Sequence, residues 1–152
     1  MALIVQKFGG TSVANAERLR NVARIITDTY QRGNRVVAVL SAQGDTTDDL
    51  IEKAREINPS ASKREMDMLL STGEQISCSL CAMAIEAMGY PVVSLTGWQA
   101  GFRTNSGYGN ARIKRVMTER VRDELENKRR IVIVTGFQGI NKYDDITTLG
   151  RG

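Results

Sequence analysis

The sequence predicts an α/β fold of three layers, α/β/α, built around a mainly parallel sheet. Short apolar runs alternate with amphipathic helical stretches along the 152 residues, a pattern typical of a parallel sheet covered by helices on both faces. Glycine or hydroxyl residues follow the apolar runs, where the carboxyl ends of the strands would lie and where such sheets bind ligands. With 41% hydrophobic residues, the chain has the length and apolar content of one domain.

The first half of the chain predicts two strands and two helices. Residues 2–8 and 35–40 are short apolar runs that favour buried strands. Between them, a helix from about residue 15 to 32 is indicated by apolar residues at spacings of three and four, which are Leu19, Val22, Ala23 and Ile26. A second helix is expected to begin with Thr47 as its cap and to end before Pro59.

The second half predicts three more helices and three more strands. The helices are expected from Ser62 as cap to residue 70, over 74–88, and over 118–128 with Thr118 as cap. The strands are expected at 91–95, at 112–117 and, centrally in the sheet, at 131–135. The glycine-rich residues 96–110 and the stretch from 136 onward are predicted to form loops or hairpins.

The composition restricts the chemistry. Histidine is absent, which excludes imidazole bases, Ser-His-Asp triads and most zinc sites from this chain. Catalysis would depend on Lys, Arg, carboxylates, hydroxyls and backbone amides, which suits phosphoryl transfer. No signal-peptide pattern or membrane-length apolar run is evident, so we expect a cytoplasmic protein with reduced thiols and no membrane partner.

Two further patterns have a functional and a structural interpretation. Basic residues cluster at 112–115 and 120–130, which could indicate a nucleic-acid surface, but acidic residues interrupt the second cluster and no aromatic platform accompanies it. We therefore expect solvated helix flanks and no nucleic-acid partner. Cys78 and Cys81 form a C-x-x-C inside an apolar helix, without the other ligands of a zinc site, so no metal-binding residues are predicted.

The most informative stretch is Lys-Phe-Gly-Gly-Thr-Ser-Val at 7–13. A lysine at the end of a buried strand needs a partner for its charge. Gly9 and Gly10 would let backbone amides approach an anion closely, and a helix begins soon afterwards. These features describe a phosphate site, although a surface turn with Lys7 extended into water has the same pattern.

The same stretch resembles the signature of aspartate kinases in the amino-acid kinase family. Four more blocks resemble the family in the same order, at 41–50, 68–77, 136–139 and 147–152. The resemblance implies that the γ-phosphoryl group of ATP moves to the side-chain carboxylate of L-aspartate, giving 4-phospho-L-aspartate for lysine, threonine and methionine biosynthesis. It also implies Mg²⁺, held mainly through the phosphates.

The resemblance also implies roles for individual residues. Lys7 and Glu74 would be catalytic; Lys7, Gly9, Gly10 and Ser41 would bind ATP phosphates; and Ser41, Thr47, Glu74 and Arg151 would bind aspartate. A hydroxyl can meet a carboxylate, a Glu can pair with an ammonium, and a guanidinium can grip a carboxylate. From the residues alone, the favoured interpretations are a helix cap for Thr47 and a first-turn charge for Glu74, and Arg151 has the alternative of an ordinary exposed terminal residue.

The chain departs from the family pattern after Gly152. The family continues there with Gly-Ser-Asp, whose aspartate takes part in catalysis. Residues 1–152 are therefore expected to be the aspartate-binding N-terminal part of a truncated kinase domain, without the nucleotide-binding half and the ACT regulatory domains. The alternative is a catalytically inactive amino-acid-binding or interaction fragment, and a more distant one is another amino-acid kinase, such as a glutamate kinase. An exposed, truncated sheet would favour homo-oligomers.

Overall fold

Two four-stranded sheets organise the computed structural model, which describes residues 1–150. The strands are β1 (Leu3–Phe8), β2 (Arg35–Leu40), β3 (Val92–Leu95), β4 (Phe102–Thr104), β5 (Ile113–Val116), β6 (Ile131–Thr135), β7 (Gln138–Ile140) and β8 (Ile146–Thr148). The helices are α1 (Ala16–Gln31), α2 (Thr46–Ile57), α3 (Lys63–Leu70), α4 (Thr72–Ala87) and α5 (Glu119–Glu126), with a 3₁₀ turn at Gly10–Val13.

The first sheet is wholly parallel, with strand order β1-β2-β6-β3. Every residue of β6 is buried, because alternate side chains pack into two separate cores. On one face Ile131 and Ile133 join residues of β2, α1 and α4. On the other face Val132 and Val134 join Leu125 of α5. The predicted α/β fold with a parallel sheet between helices, and with a central strand at 131–135, is confirmed.

Strand β1 forms an edge of this sheet, and the prediction that it is buried was wrong. It pairs with β2 alone among the strands described, and its side chains alternate in exposure. Leu3 is 54% exposed and Val5 is 64% exposed, since α5 covers the face over β6 but does not extend to β1. Lys7 follows on the same side of the strand and is exposed. The argument that Lys7 needs a partner because its charge is buried therefore does not hold.

The second sheet is mixed, with strand order β5-β4-β7-β8. It combines an antiparallel β4–β5 pair with an antiparallel β7–β8 hairpin, joined by a parallel contact between β4 and β7. The predicted strand at 112–117 is confirmed as β5. Strands β4, β7 and β8 lie in stretches that were predicted as loops or hairpins, because strands of three residues are too short for a clear periodic signal.

Helix starts were predicted with mixed success. Asn15 and Ser62 occupy N-cap positions, and their side chains accept hydrogen bonds from Arg18 N and Glu65 N, at 2.9 and 3.3 Å. Thr47 is not a cap: the N-cap position of α2 is Asp45, and Thr47 lies inside the first turn. Thr118 occupies the N-cap position of α5, but its hydroxyl makes no capping bond.

One helical stretch, Lys63–Ala87, is long and apolar enough to cross a membrane by length and composition alone. Half of its most apolar window is buried inside the fold, and core helices of soluble proteins share this character. It comprises α3 and α4, which meet at Ser71. Ile76, Leu80 and Met83 form an exposed stripe along α4.

Candidate active site

A cavity of about 600 Å³ lies at the carboxyl ends of β1, β2 and β6. It is lined by residues from all five sequence blocks and by two valines of the sheet: Val5, Lys7, Gly10, Val39, Ser41, Ala42, Gly44, Thr47, Glu74, Gly136, Phe137, Leu149 and Gly150. Parallel sheets commonly bind ligands at this end. The fold therefore gathers segments that are distant in sequence around one space large enough for a small molecule.

Most of the predicted site residues meet at this cavity. Lys7, Gly10, Ser41, Thr47 and Glu74 all line it. Gly9 is exposed and lies outside the lining, and a Cβ placed on it would meet no atom within 4 Å. Arg151 lies outside the described residues, although Leu149 and Gly150 just before it line the cavity.

The loops after β1 and β2 are locked together on one side of the cavity. The Gly44 amide donates to the Gly10 carbonyl at 2.9 Å, and the Gln43 side-chain amide donates to the Val13 carbonyl at 2.9 Å. A Cβ on Gly10 would lie 3.0 Å from the Ala42 carbonyl oxygen, so the two backbones approach as closely as glycine permits. The two loops thus form a backbone cradle beside the cavity.

Glu74 places a carboxylate in the wall of the cavity. It lies in the first turn of α4, as predicted from its position, and is only 3% exposed. The Ser77 hydroxyl, one turn further along α4, donates to the Ser41 carbonyl at 2.6 Å and fixes the helix against the loop after β2. Thr47 lines the same cavity from the first turn of α2. A buried carboxylate can bind a ligand's ammonium group, and the hydroxyl groups beside it can donate hydrogen bonds to a carboxylate of the same ligand.

Lys7 places a cation at the exposed side of the cavity. Within residues 1–150 no carboxylate lies within ion-pairing distance of its ammonium. Its charge is therefore available to an anionic ligand. The described part of the chain also contains no group of three or more acidic or cysteine side chains that could hold a metal ion. A phosphate-bound Mg²⁺ fits this arrangement, since it would be carried by the ligand's own oxygens.

The loop after β6 holds the last described segment against the cavity. Phe137 adopts a φ of 72°, a left-handed conformation that is unfavourable for an aromatic residue. Its carbonyl accepts a hydrogen bond from Leu149 N at 2.8 Å, and the neighbouring Gly136 N donates to the Leu40 carbonyl at 3.0 Å. The strained turn therefore joins β2, the end of β6 and the segment that carries Gly150.

Two buried polar residues near the site were not predicted from the sequence. The Gln138 side chain accepts from Thr135 Oγ1 at 2.6 Å and from Gly97 N at 3.2 Å, and it donates to the Ser71 carbonyl where α3 meets α4. Asp67 is fully buried on α3. Asp67 lies four and seven positions before Ser71 and Glu74, so its place on a buried helix face was the available signal.

Two patterns with alternative interpretations have structural roles here. Cys78 and Cys81 are free and buried in α4, and burial raises the pKa of both thiols, that of Cys81 to about 12. Both groups therefore stay protonated and packed in the core near neutral pH. The fully buried carboxylate of Glu124 is surrounded by three basic side chains of the 120–130 cluster at 3.1 to 3.5 Å. Those cations compensate a carboxylate of the fold, which supports the structural interpretation of that cluster.

Comparison with known proteins supports the fold and the family. The profile of the Amino acid kinase family matches residues 2–152. An aspartokinase of Bacillus sp. (strain MGA3) is 54% identical over 152 residues, which is all of this chain and 37% of that protein. An aspartokinase of Corynebacterium glutamicum is 56% identical over 153 residues, covering 36% of its length. The chain thus spans little more than a third of the curated relatives it matches.

Solved structures agree with these matches. The aspartate kinase from Synechocystis superposes with a TM-score of 0.80 and 43% identity, covering 99% of this chain and 24% of that one. Aspartokinase III of E. coli, solved with aspartate and ADP, superposes with a TM-score of 0.81 and 23% identity. The match covers all of this chain and 44% of the E. coli chain, and it shows that the fold is shared. The resemblance found in the sequence blocks is confirmed, and the chain belongs to the amino acid kinase family.

Proposed function

We propose that this chain supplies the aspartate site and one phosphate clamp of an aspartate kinase. The reaction would transfer the γ-phosphoryl group of ATP to the side-chain carboxylate of L-aspartate, giving 4-phospho-L-aspartate and ADP. The observation that carries the proposal is the convergence of all five sequence blocks on one cavity, which has an available cation, Lys7, and a buried carboxylate, Glu74. The aspartokinases that are 54–56% identical support the choice of amino acid.

In this proposal the buried side of the cavity binds aspartate. Glu74 pairs with the substrate ammonium, and Thr47 and Ser41 offer hydroxyls to a carboxylate. Arg151, which follows the cavity-lining Gly150, grips a carboxylate with its guanidinium. The side-chain carboxylate of the substrate would then point toward Lys7, where the phosphoryl group arrives.

The exposed side of the cavity binds phosphate. Lys7 neutralises charge on the transferring group, while amides of the cradle at Gly10, with Gly9 beside it, hold phosphate oxygens. Mg²⁺ bound to the phosphates supplies further charge neutralisation. Residues 1–152 form the aspartate-binding part of a kinase domain in this view. The nucleotide-binding half and the ACT regulatory domains belong to a longer, cytoplasmic protein of amino-acid biosynthesis.

Isothermal titration of the chain with L-aspartate tests the binding part of the proposal. L-Aspartate is expected to bind and L-glutamate to bind more weakly, since an aspartate site must reject one additional methylene. Equal or tighter binding of L-glutamate would favour a glutamate kinase instead. No binding of L-aspartate would refute the proposal.

The catalytic part needs the rest of a kinase. A chimera in which this chain replaces the matching 153-residue segment of the Corynebacterium glutamicum relative provides it. We expect aspartate-dependent ADP release from the chimera. A folded chimera that binds L-aspartate without turnover would favour the second candidate, a non-catalytic amino-acid-binding or interaction fragment. The observation behind that candidate is the solvent-exposed β1 side of the cavity, where Val5 is 64% exposed.

A further inference from the structure

Asp67 is a buried carboxylate with a complete set of hydrogen-bond partners. It lies on α3, is fully buried, and accepts from Thr148 Oγ1 at 2.7 Å and from Thr148 N at 3.0 Å. The Gly109 amide completes the set, at 3.1 and 3.0 Å from the two carboxylate oxygens. A buried carboxylate is costly to desolvate, and an apolar side chain of similar size would often be as stable. Stability alone therefore does not account for a carboxylate at this position, and its role is inferred from the segments that its hydrogen bonds join.

Those partners belong to two segments at the mouth of the cavity. Thr148 directly precedes Leu149 and Gly150, which line the cavity. The loop that contains Gly109 reaches the same place, since Ala111 N donates to the Thr148 carbonyl at 2.9 Å. A Cβ on Gly150 would lie only 2.6 Å from the side-chain oxygen of Asn110, so the two segments are packed together.

Asp67 also belongs to the helical stretch that carries Glu74. The two residues are seven positions apart on α3 and α4, which places them on the same side of nearly continuous helix. The Asp67 carboxylate thus joins the helical stretch that carries Glu74 to residues 148–150, of which Leu149 and Gly150 line another part of the cavity. The two segments are 81 residues apart in sequence.

We infer that Asp67 is a positioning residue for the amino-acid site. It holds Thr148 and the two residues that follow at a fixed distance from Glu74, and so sets the space in which the two ends of the substrate are gripped. The inference rests on the proposed function, because it assumes that L-aspartate binds in this cavity.

The test measures L-aspartate affinity of the 152-residue chain by isothermal titration, well below the melting temperature of each variant. Asp67→Asn keeps the shape but turns one acceptor oxygen into a donor that faces N–H groups. Thr148→Val removes one donor, whereas Thr148→Ser retains it. Thr147→Val is the matched control, since the Thr147 hydroxyl pairs with Thr104 at 2.6 Å and not with Asp67.

We expect Asp67→Asn and Thr148→Val to raise the dissociation constant about tenfold or more, since small misplacements in a site have large effects. Thr148→Ser is expected to restore wild-type affinity, and Thr147→Val to lower the melting temperature without changing affinity. If Asp67→Asn does not fold, the two Thr148 variants decide the result.

Two results would overturn the inference. One is wild-type affinity in folded Thr148→Val or Asp67→Asn. The other is an equal loss of affinity in Thr147→Val, which would mean that any weakening of this strand has the same effect. Failure of the unmodified chain to bind L-aspartate is a different outcome, because it refutes the proposed function before any variant is compared.

Discussion

Replacing Glu74 with Gln removes the one negative charge that the proposal assigns to the substrate ammonium, while leaving the shape of the side chain almost unchanged. Glu74 is 3% exposed, so bulk water screens its charge weakly. Opposite unit charges about 4 Å apart attract by roughly 4 kcal/mol at an effective dielectric constant of about 20. Desolvation of the ligand ammonium offsets part of this attraction. A net loss of about 2 to 3 kcal/mol corresponds to a dissociation constant for L-aspartate roughly 30- to 150-fold higher.

The assay is isothermal titration of the 152-residue chain with L-aspartate and with succinate, which has both carboxylates but no ammonium group. Glu74→Gln should weaken the binding of L-aspartate and leave that of succinate unchanged or improved, because only L-aspartate loses an ion pair. A thermal melt of each variant verifies that it is folded at the temperature of the titration.

Glu17→Gln is the matched control. Glu17 is the acidic residue in the first turn of α1, which has 16 residues like α4, but it is exposed and outside the cavity lining. If Glu74 acts only through the helix dipole, both variants should lose a little stability and neither should lose affinity. Unchanged L-aspartate affinity in folded Glu74→Gln, or equal losses for L-aspartate and succinate, would refute the proposed pairing.

Four further predictions follow from the site and the fold. In the chimera, Lys7→Ala should lower kcat about a hundredfold or more while sparing L-aspartate affinity, because it removes an electrostatic group that acts on the transferring phosphoryl; near-normal turnover in steady-state kinetics would contradict this. The 152-residue chain alone should show no aspartate-dependent ADP release in a coupled assay, because the β1 side of its cavity is open to water and the reactants are not held together; activity that disappears in Lys7→Ala would disprove this. Burial raises the pKa of the Cys78 and Cys81 thiols. Both should therefore react slowly with a thiol reagent at about pH 8 in the native chain and rapidly in denaturant. Fast labelling of the native chain would show that the thiols are accessible. A hydrogen bond from Arg64 at 2.7 Å lowers the pKa of Asp145 in the folded state. The ionised Asp145 therefore stabilises the fold fully above its unfolded pKa of about 4, and this contribution is lost as the pH falls through the lower folded pKa. The free energy of unfolding, measured with urea across this pH range, should depend less on pH in Asp145→Asn, and an unchanged pH dependence would contradict the assignment.

The parts of the fold that the sequence predicted are governed by local interactions. The spacing of Leu19, Val22 and Ile26 forms the buried stripe of α1, and the side chains of Asn15 and Ser62 cap helices within three residues of their own positions. The apolar run 131–135 is a central strand because it has no polar face to leave in water. Such signals depend on neighbours a few residues away and so can be found in a single sequence.

The five sequence blocks identified the segments that line the cavity, but not how they meet. They were ordered along the chain, and the parallel sheet brings Lys7, Ser41 and Gly136 to one edge. Lys7 lies near the carboxyl end of β1, and Ser41 and Gly136 directly follow β2 and β6, which run in the same direction. Thr47 and Glu74 reach the same cavity from the first turns of two helices. The sequence identified these residues by resemblance, and the structure places them around one space.

Only the tertiary structure decided which strand is an edge and which buried polar groups join distant segments. Strand β1 begins with the apolar run Leu3–Val5, yet Leu3 and Val5 are exposed because β1 is an edge strand and α5 covers this face of the sheet over β6 without extending to β1. The spacing of Asp67 from Ser71 and Glu74 indicates a shared helix face, but nothing in the sequence indicates its partner Thr148, which the fold brings from 81 residues away. Long-range pairing of this kind arises from the packing of whole elements, and no local pattern in a single sequence encodes it.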